Sequence, residues 1–429
     1  MKKILPSIKN LYKTGAIHIT VGSFLSKFVA LFGSVFVVRI LSKSEYGLLQ
    51  YVENIYSYAV IFAGLGLPYS ILRYVVKAES EKKRTFMHYA VSQSFAIDCL
   101  FAFLILVINL FAPYPENFQE AKTWIPILAL LLPFQNLLTN GQYSLRALFK
   151  NKEYASVACA SSILLIVGRI LGAKVSGIGG VFWSRFLINT LFAIVLIFIV
   201  YRLYPKQEIT RLPQQEKKEV NRYSLQYMFS NGIWMLFMIN DSFLLGLLTN
   251  DPIAVADYKA AYVLPGNLSL ISTAIGIFIA PYFTKNEKDV QWVRKKYKFI
   301  SFINALAVGM FALVFFIFAK PIIQFVYGNE YLNTIPLMRV LLVAAFINSG
   351  FRYMNANVLG AMGKVKSNLI ISIVGLALQI VFNIILVPQF GALGIAYSNC
   401  VVFAAMAIAL SYIIYKNYFK SNKLKSNGE

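Results

Sequence analysis

Charged residues are scarce in this chain. Asp, Glu, Lys and Arg make up 14% of its 429 residues, whereas soluble proteins carry roughly 25%. The chain is 58% hydrophobic, and its mean hydropathy is +0.63. A composition this apolar excludes an ordinary soluble domain and predicts an all-α protein that crosses the membrane many times.

Acidic residues are the rarer charges. Only 18 Asp and Glu stand against 41 Lys and Arg, which gives a net charge of +23. In a soluble chain such an excess would suggest a nucleic-acid partner. In a membrane protein it is expected, because cytoplasmic loops collect Lys and Arg. We therefore predict membrane lipids and no nucleic acid as partners.

Residues typical of enzyme and metal chemistry are few. The three cysteines, Cys99, Cys159 and Cys400, lie in separate apolar segments, and the two histidines, His18 and His88, stand alone. The sequence contains no Ser-His-Asp arrangement, no HExxH motif and no glycine-rich phosphate loop. We predict that the protein is not an enzyme and has no cofactor, no metal site and no direct use of ATP.

Twelve apolar segments are present, and no soluble domain fits between them. They span approximately 16–41, 47–73, 86–112, 123–146, 154–172, 175–201, 223–248, 256–282, 299–319, 333–360, 368–387 and 391–415. Each is close to the ~20 residues that cross a bilayer. The pattern predicts twelve transmembrane helices, with one six-helix bundle in residues 1–210 and a second in residues 211–429.

The basic residues predict the orientation. With the N-terminus in the cytoplasm, 30 Lys and Arg fall on the inner side and 6 on the outer side, and 5 lie within helices. The positive-inside rule then predicts that both termini are cytoplasmic.

The two halves of the sequence resemble each other. Matched residues recur at an offset of 214: Lys150 and Lys364, Lys152 and Lys366, Gly177 and Gly391, Gly180 and Gly394, and Ser184 and Ser398. Six crossings per half is an even number, so the halves have the same orientation, and a pseudo-two-fold axis along the membrane normal relates them. Such tandem halves usually hold a substrate site at their interface.

The opening hairpin, residues 24–74, carries charges inside its apolar segments. Lys27 lies in the first segment and Glu53 in the second. A lysine at the centre of a bilayer costs ~2.5–3.5 kcal/mol on insertion scales. We therefore expect this hairpin to face protein or a polar cavity. The second segment ends in Gly64-Leu65-Gly66-Leu67-Pro68, which weakens the helix there.

Three stretches resemble the Wzx-type polysaccharide and O-antigen flippases, whose superfamily includes the MATE exporters and the lipid II flippases. They are the turn Arg39–Leu48, the Gly64–Pro68 segment and the Gly391–Tyr397 opening of the last helix. The resemblance implies a MATE-like fold in the bacterial cytoplasmic membrane. It also implies movement of an undecaprenyl-pyrophosphate-linked oligosaccharide, as in O-antigen, lipopolysaccharide or capsule synthesis, to the outer leaflet. A polysaccharide polymerase and a chain-length regulator are the partners expected.

A lipid-linked glycan needs cations for its diphosphate and polar groups for its sugars. The candidate substrate-binding residues are Lys27, Arg73, Arg146, Arg185 and Arg352. The candidate ion-coupling residues or charge partners are Glu53, Asp98 and Asp241, for a proton or sodium ion. An ion pair between Asp98 and Arg185 is the structural alternative for those two residues.

Other polar residues in the helices have two interpretations. Arg169 and Arg339 lie near the outer ends of helices and are expected to extend their side chains to the interface. Amide side chains either bind sugar hydroxyls or join helices to each other; they are Gln135, Asn136, Asn140, Asn231, Asn240, Asn348 and Asn355.

Lys27 and Asp241 are separated by the repeat offset of 214. We expect them to approach each other across a central cavity. Either they form a static ion pair, or Lys27 binds the diphosphate and Asp241 binds a proton or cation that competes for it.

Three other functions are considered. A MATE-like drug or cation antiporter would use the same fold. A membrane polymerase or ligase would need a large outer loop with catalytic Arg or His, and the outer turns here are short and lack histidine. A scaffold without transport would leave the charges within the helices unexplained.

Overall fold

The computed structural model of the protein describes Gly33, residues 35–204 and residues 208–420, and all secondary structure in this part of the chain is helical. The chain divides into two compact units, Met1–Met235 and Leu236–Glu429. The division falls inside a helix, after the charged connection where the sequence places the boundary between bundles. The bundle boundary at 210–211 therefore stays a prediction.

After the helical residues 35–40, the described part of the first unit contains five further helical segments and the start of a sixth. They are α1 (Lys43–Ile61), α2 (Leu67–Ser70, continued by a π-helical turn at Ile71–Val75), α3 (Ser80–Phe111), α4 (Ala121–Ala147), α5 (Asn151–Leu203) and α6 (Gln214–Thr249). Helix α1 begins within the Arg39–Leu48 turn, where Ser42 and Glu45 form a capping box that satisfies the first backbone N–H groups.

The second unit continues α6 and adds eight helices. They are α7 (Pro252–Asn267), α8 (Ser269–Lys285), α9 (Val290–Ile317), α10 (Ala319–Tyr327), α11 (Ile335–Ile347), α12 (Met354–Ala361), α13 (Val365–Phe390) and α14 (Ala392–Tyr415). A π-helical turn, Asn348–Tyr353, joins α11 to α12. Such turns widen the helix locally and are frequent at functional sites.

Nine helical stretches of the described residues are long and apolar enough to cross a membrane, and the bent pair Lys43–Ile61 with Ala63–Val75 makes a tenth. The 53-residue α5 contains two predicted crossings, 154–172 and 175–201. Of the first predicted crossing, 16–41, only Gly33 and residues 35–41 are described. The polytopic all-α fold is confirmed, and the count of twelve stays a prediction.

α5 folds back on itself at a glycine. Ser176 and Gly177 leave the helical conformation, and Gly177 has φ 56° and ψ −135°. A Cβ atom on Gly172 would lie 2.2 Å from the carbonyl oxygen of Gly180. In a straight helix eight residues span ~12 Å, so this approach requires the chain to reverse. The two arms of α5 therefore form a hairpin, as the two predicted segments require.

The second unit repeats this geometry at the predicted offset. Gly391, between α13 and α14, has φ 56° and ψ −133°, and a Cβ on Gly394 would lie 2.5 Å from the carbonyl oxygen of Leu386. The turns preceding the two hairpins also match. The N–H of Lys150 donates to the carbonyl of Leu145 at 2.9 Å, and that of Lys364 donates to the carbonyl of Leu359 at 2.9 Å. The repeat read from the sequence is therefore present in the backbone.

Polar and apolar side chains are distributed as a lipid environment requires. Large hydrophobic side chains such as Phe111, Val175 and Phe325 are more than 80% exposed. Buried polar side chains, among them Asp98 and Asp241, lie inside the units. Because polar groups are costly in hydrocarbon, this arrangement leaves a polar interior where a site can form.

Candidate functional site

A charged triad lies inside the first unit. Glu53 of α1 binds Arg185 at 2.5 Å, from Nη1 to Oε2, and Arg169 at 3.4 Å, from Nη2 to Oε1. The three side chains are 17–29% exposed. Tyr56, one turn after Glu53, places its ring 4.9 Å from the Arg185 guanidinium. Two cations therefore share one carboxylate in a partly buried setting.

The α5 hairpin explains how two arginines reach one acid. Arg169 precedes Gly177 by eight residues, and Arg185 follows it by eight. After the chain reverses at Gly177, the two side chains lie at the same distance from the turn, ~12 Å along each arm. The proximity of Arg169 and Arg185 could not be predicted from the sequence without knowing that the chain reverses at Gly177.

Two predictions about these arginines are corrected by the structure. The alternative ion pair between Asp98 and Arg185 is wrong, because Arg185 pairs with Glu53. Arg169 was expected to extend to the interface, and it instead joins the same carboxylate. Arg339 follows the expectation more closely, since its exposed side chain contacts the Phe316 ring at 5.2 Å.

A cavity of about 310 Å³ borders the triad. Its polar lining consists of Glu53, Gln135, Ser162, Arg169, Arg185 and Asn189. The Nδ2 group of Asn189 donates to the Arg185 carbonyl at 2.9 Å, while its Oδ1 is buried without a partner among the described residues. The cavity thus offers guanidinium and amide groups from α4 and α5.

Asp98 closes the break between α1 and α2. Gly64, Leu65 and Gly66 have φ values of 53°, 46° and 76°, so three consecutive residues leave the right-handed region. The Gly64 N–H donates to Asp98 Oδ1 at 2.6 Å, and the Asn136 amide donates to Oδ2. Asp98 is fully buried. It replaces the helical hydrogen bonds that this break removes, which is a role the sequence did not reveal.

The second unit contains a counterpart of the triad in which neutral donors replace the two arginines. Asp241 of α6 is 4% exposed, and its carboxylate accepts three hydrogen bonds. The donors are Asn383 at 2.9 Å, Asn399 at 2.6 Å and Tyr258 at 3.0 Å. Among the described residues no cation forms an ion pair with it. Nearby, Asn383 Oδ1 and Gln379 Oε1 are buried without a hydrogen-bond partner in the described chain.

The hairpin residues of the two sites occupy matching positions of the repeat, whereas the two acids, Glu53 and Asp241, do not. Adding 214 to Arg169 and Arg185 gives Asn383 and Asn399, and both pairs flank the hairpin glycine by eight residues. Each hairpin therefore holds an acid from another helix, Glu53 in one unit and Asp241 in the other. Sequence reasoning missed the two asparagines, although extending the offset from Gly391 along the helices would have found them.

Arg73 and Arg146 lie against aromatic rings at one end of the first unit. The guanidinium of Arg73 lies 4.5 Å from the ring of Tyr223, and that of Arg146 lies 5.5 Å from the rings of both Tyr143 and Tyr154. Within the described residues neither arginine forms an ion pair. Both are therefore held by cation–π contacts, which an anion can replace.

The remaining predicted residues are less informative. Arg352 lies in the π-helical turn after α11, is 4% exposed and approaches Ser372 Oγ at 3.5 Å. Asn355 joins helices, since its amide contacts Ser411 and Tyr297. Lys27 lies outside the described residues, so its approach to Asp241 stays a prediction.

A family model described as polysaccharide biosynthesis protein matches residues 12–287, more than half of the chain. The chain belongs to the polysaccharide biosynthesis protein family. The family predicted from the sequence motifs is thus confirmed at this level. The chain is also similar to an uncharacterized membrane protein of Methanocaldococcus jannaschii. The two are 23% identical over 88% of this chain and 78% of the length of that protein.

Solved structures show the fold of this family member. The lipid II flippase MurJ in an inward closed conformation matches with a TM-score of 0.72 at 16% identity, over 93% of this chain and 87% of its own. An inward-facing multidrug resistance MATE transporter gives 0.70 at 15%, over 94% and 98%. A MOP-superfamily transporter from Pyrococcus furiosus, described as having a binding pocket of reverse polarity, gives a TM-score of 0.60 at 16% identity, over 94% of each chain. The predicted MATE-like fold is confirmed.

Proposed function

We propose that this protein is a flippase for a lipid-linked oligosaccharide. The substrate is an undecaprenyl-pyrophosphate-linked repeat unit, of the kind used for O-antigen or capsule, and it moves from the cytoplasmic to the outer leaflet by alternating access. The family assignment supports a role in polysaccharide synthesis, and the fold similarity to a lipid II flippase supports transport of a lipid-linked substrate.

The charged triad is the observation that carries the proposal. Arg169 and Arg185 outnumber the one acid they contact, Glu53, beside a 310 Å³ cavity. A partly buried site with excess guanidinium favours an anion, and guanidinium binds phosphate with paired hydrogen bonds. The diphosphate first meets Arg73 and Arg146, whose ring contacts leave their charge without an acidic partner in the described chain.

Transport is proposed to use an ion gradient through Asp241. Its carboxylate and the unpartnered oxygens of Asn383 and Gln379 form a set of oxygen ligands, which suits a small hard cation, and the carboxylate alone suits a proton. Reconstituted protein should move substrate faster when a sodium or proton gradient is imposed. Asp241→Asn should remove this acceleration, while the control Asp257→Asn, at an exposed contact with Asn333, should keep it. Equal acceleration in both variants would exclude the coupling role.

The proposed orientation places both termini in the cytoplasm of a bacterial cell and the protein in its cytoplasmic membrane. Single cysteines at positions 82, 217 and 295 should resist a membrane-impermeant thiol reagent in intact cells. Cysteines at positions 43, 116 and 329 should react with it. The reverse labelling pattern would overturn the orientation.

The function itself is tested by deletion. Cells without the gene should accumulate lipid-linked repeat units on the cytoplasmic side and lack the mature polysaccharide, which a polymerase and a chain-length regulator complete. Normal polysaccharide in a strain without any related flippase would refute the proposal.

A MATE-like cation or drug antiporter is the second candidate. The fold similarity to a multidrug transporter favours it. So does Asp241, which is buried and forms no ion pair with a Lys or Arg among the described residues. Expression in a drug-sensitive strain separates the two functions, because an antiporter raises the inhibitory concentration of cationic drugs and the flippase leaves it unchanged.

A further inference from the structure

Four tyrosine rings connect Arg73 to Arg146 in the first unit. We call Tyr69 of α2, Tyr143 of α4, and Tyr223 and Tyr227 of α6 the tyrosine ladder. Its successive ring centroids are separated by 6.3 Å for Tyr223–Tyr227, 4.1 Å for Tyr227–Tyr69 and 5.3 Å for Tyr69–Tyr143. These separations fall within or close to the range of interacting aromatic pairs. Three separate helices thus contribute to one continuous row of rings.

The tyrosine ladder borders a second cavity through Tyr69, and this cavity has both apolar and polar lining residues. This cavity measures about 120 Å³ and is lined by Tyr69 together with Gln135, Asn136, Thr139 and Asn231. The Gln135 side chain makes no hydrogen bond within the described part of the chain, and it also lines the cavity of the charged triad. An amide that is free to bind therefore lies between the rings and the arginines of α5.

Aromatic faces beside amide groups are the features that recognise carbohydrate. A sugar ring has C–H faces that pack on aromatic rings, and its hydroxyl groups need donors and acceptors such as amides. Tyr227 remains 37% exposed, so part of the tyrosine ladder is accessible. A purely packed core would bury these rings.

We infer that the tyrosine ladder, with Gln135 and Asn231, is a carbohydrate-stacking subsite. It takes the sugar next to a diphosphate held by the arginine at one end of the row, Arg73 or Arg146, and this inference rests on the proposed function. The geometry supplies a mechanism. Each guanidinium now lies on a ladder ring, and its hydrogen bond to a phosphate is stronger than this cation–π contact. Binding of a diphosphate to Arg73 therefore frees the face of Tyr223 for the sugar, and binding to Arg146 frees the face of Tyr143.

The test compares two probes on the full chain in lipid nanodiscs. One is farnesyl-diphospho-N-acetylglucosamine, and the other is farnesyl diphosphate, which lacks the sugar. The unchanged protein should bind the sugar-bearing probe about tenfold more tightly. Tyr227→Leu should reduce this preference to below about twofold without weakening farnesyl diphosphate, and Tyr227→Phe should keep it. Tyr412→Leu, at a 60% exposed tyrosine of α14, is the matched control and should also keep it.

Gln135→Leu provides a second variant outside the row of rings, and it should reduce the preference in the same sugar-selective way. Equal affinity of the unchanged protein for the two probes would overturn the subsite. So would an equal loss of both probes in Tyr227→Leu and Gln135→Leu. If the unchanged protein bound neither probe, the proposed function itself would fail, and this result is distinct from a missing sugar preference.

Discussion

Replacing Glu53 with Gln tests the charged triad most directly. The change removes the carboxylate that Arg169 and Arg185 both contact and keeps the size of the side chain. Exposed ion pairs contribute ~0–1 kcal/mol, and breaking a fully buried pair costs ~3–5 kcal/mol. The triad is 17–29% exposed and lies between these limits. We expect the free energy of unfolding to fall by about 2–3 kcal/mol.

The assay is a denaturant titration in mixed micelles, followed by the fluorescence of the four tryptophans. Glu153→Gln is the matched control, because Glu153 pairs with Lys150 at 3.7 Å and both are nearly half exposed. It should cost less than ~1 kcal/mol. The double variant Glu53→Gln with Arg185→Gln should recover part of the loss, because it leaves one fewer uncompensated cation.

The same variant should change ligand affinity in the opposite direction. Without the carboxylate, Arg169 and Arg185 have no internal competitor in the triad for a phosphate, so farnesyl diphosphate should bind more tightly even though the protein is less stable. If Glu53→Gln matched Glu153→Gln in stability and left the affinity unchanged, the triad would be neither a structural nor an anion-binding element.

Four further substitutions test the backbone of the fold. Phe149 has φ 58°, which costs a non-glycine residue ~1–2 kcal/mol, so Phe149→Gly should raise the free energy of unfolding by ~0.5–1 kcal/mol after the added chain entropy of glycine is subtracted. Gly177→Ala and Gly391→Ala should each lower it by ~1–3 kcal/mol in the same titration, because both hairpin glycines adopt φ 56°; unaltered stability would contradict the strain. Asp98→Asn should cost ~1–3 kcal/mol, because its new NH2 group must face either the Gly64 N–H or the Asn136 amide, and both of these donate to the carboxylate of Asp98; unchanged stability in the same titration would contradict this.

The sequence predicted helices better than it predicted their partners. Apolar length predicted the long helices, and the offset of 214 located the matching turns at Gly177 and Gly391, because both signals can be read along the chain. The pairing of Arg185 with Asp98 failed, because similar depth in the membrane does not say which face of a helix a side chain occupies. That information comes from packing between helices, and no sequence pattern here specifies it.

The break between α1 and α2 shows a second limit. The glycines and proline of residues 64–68 predicted a weakened helix, and the structure contains a break there. What the sequence did not indicate is that Asp98, on another helix, accepts a hydrogen bond from that break. An acid in an apolar segment suggested ion coupling. Its actual partner is a backbone N–H 34 residues away, and no sequence pattern indicates such a contact.

The position of each acid relative to its hairpin has a consequence for assembly. In each unit the acid precedes the hairpin in the chain: Glu53 comes before the arms that carry Arg169 and Arg185, and Asp241 before those with Asn383 and Asn399. Chains emerge from the ribosome N-terminus first, and residues that are 16 apart across a tight turn meet early, since they close a short loop. We therefore expect the two hairpin side chains of each site to come together soon after their hairpin forms. The helix that carries the acid has by then already been synthesised.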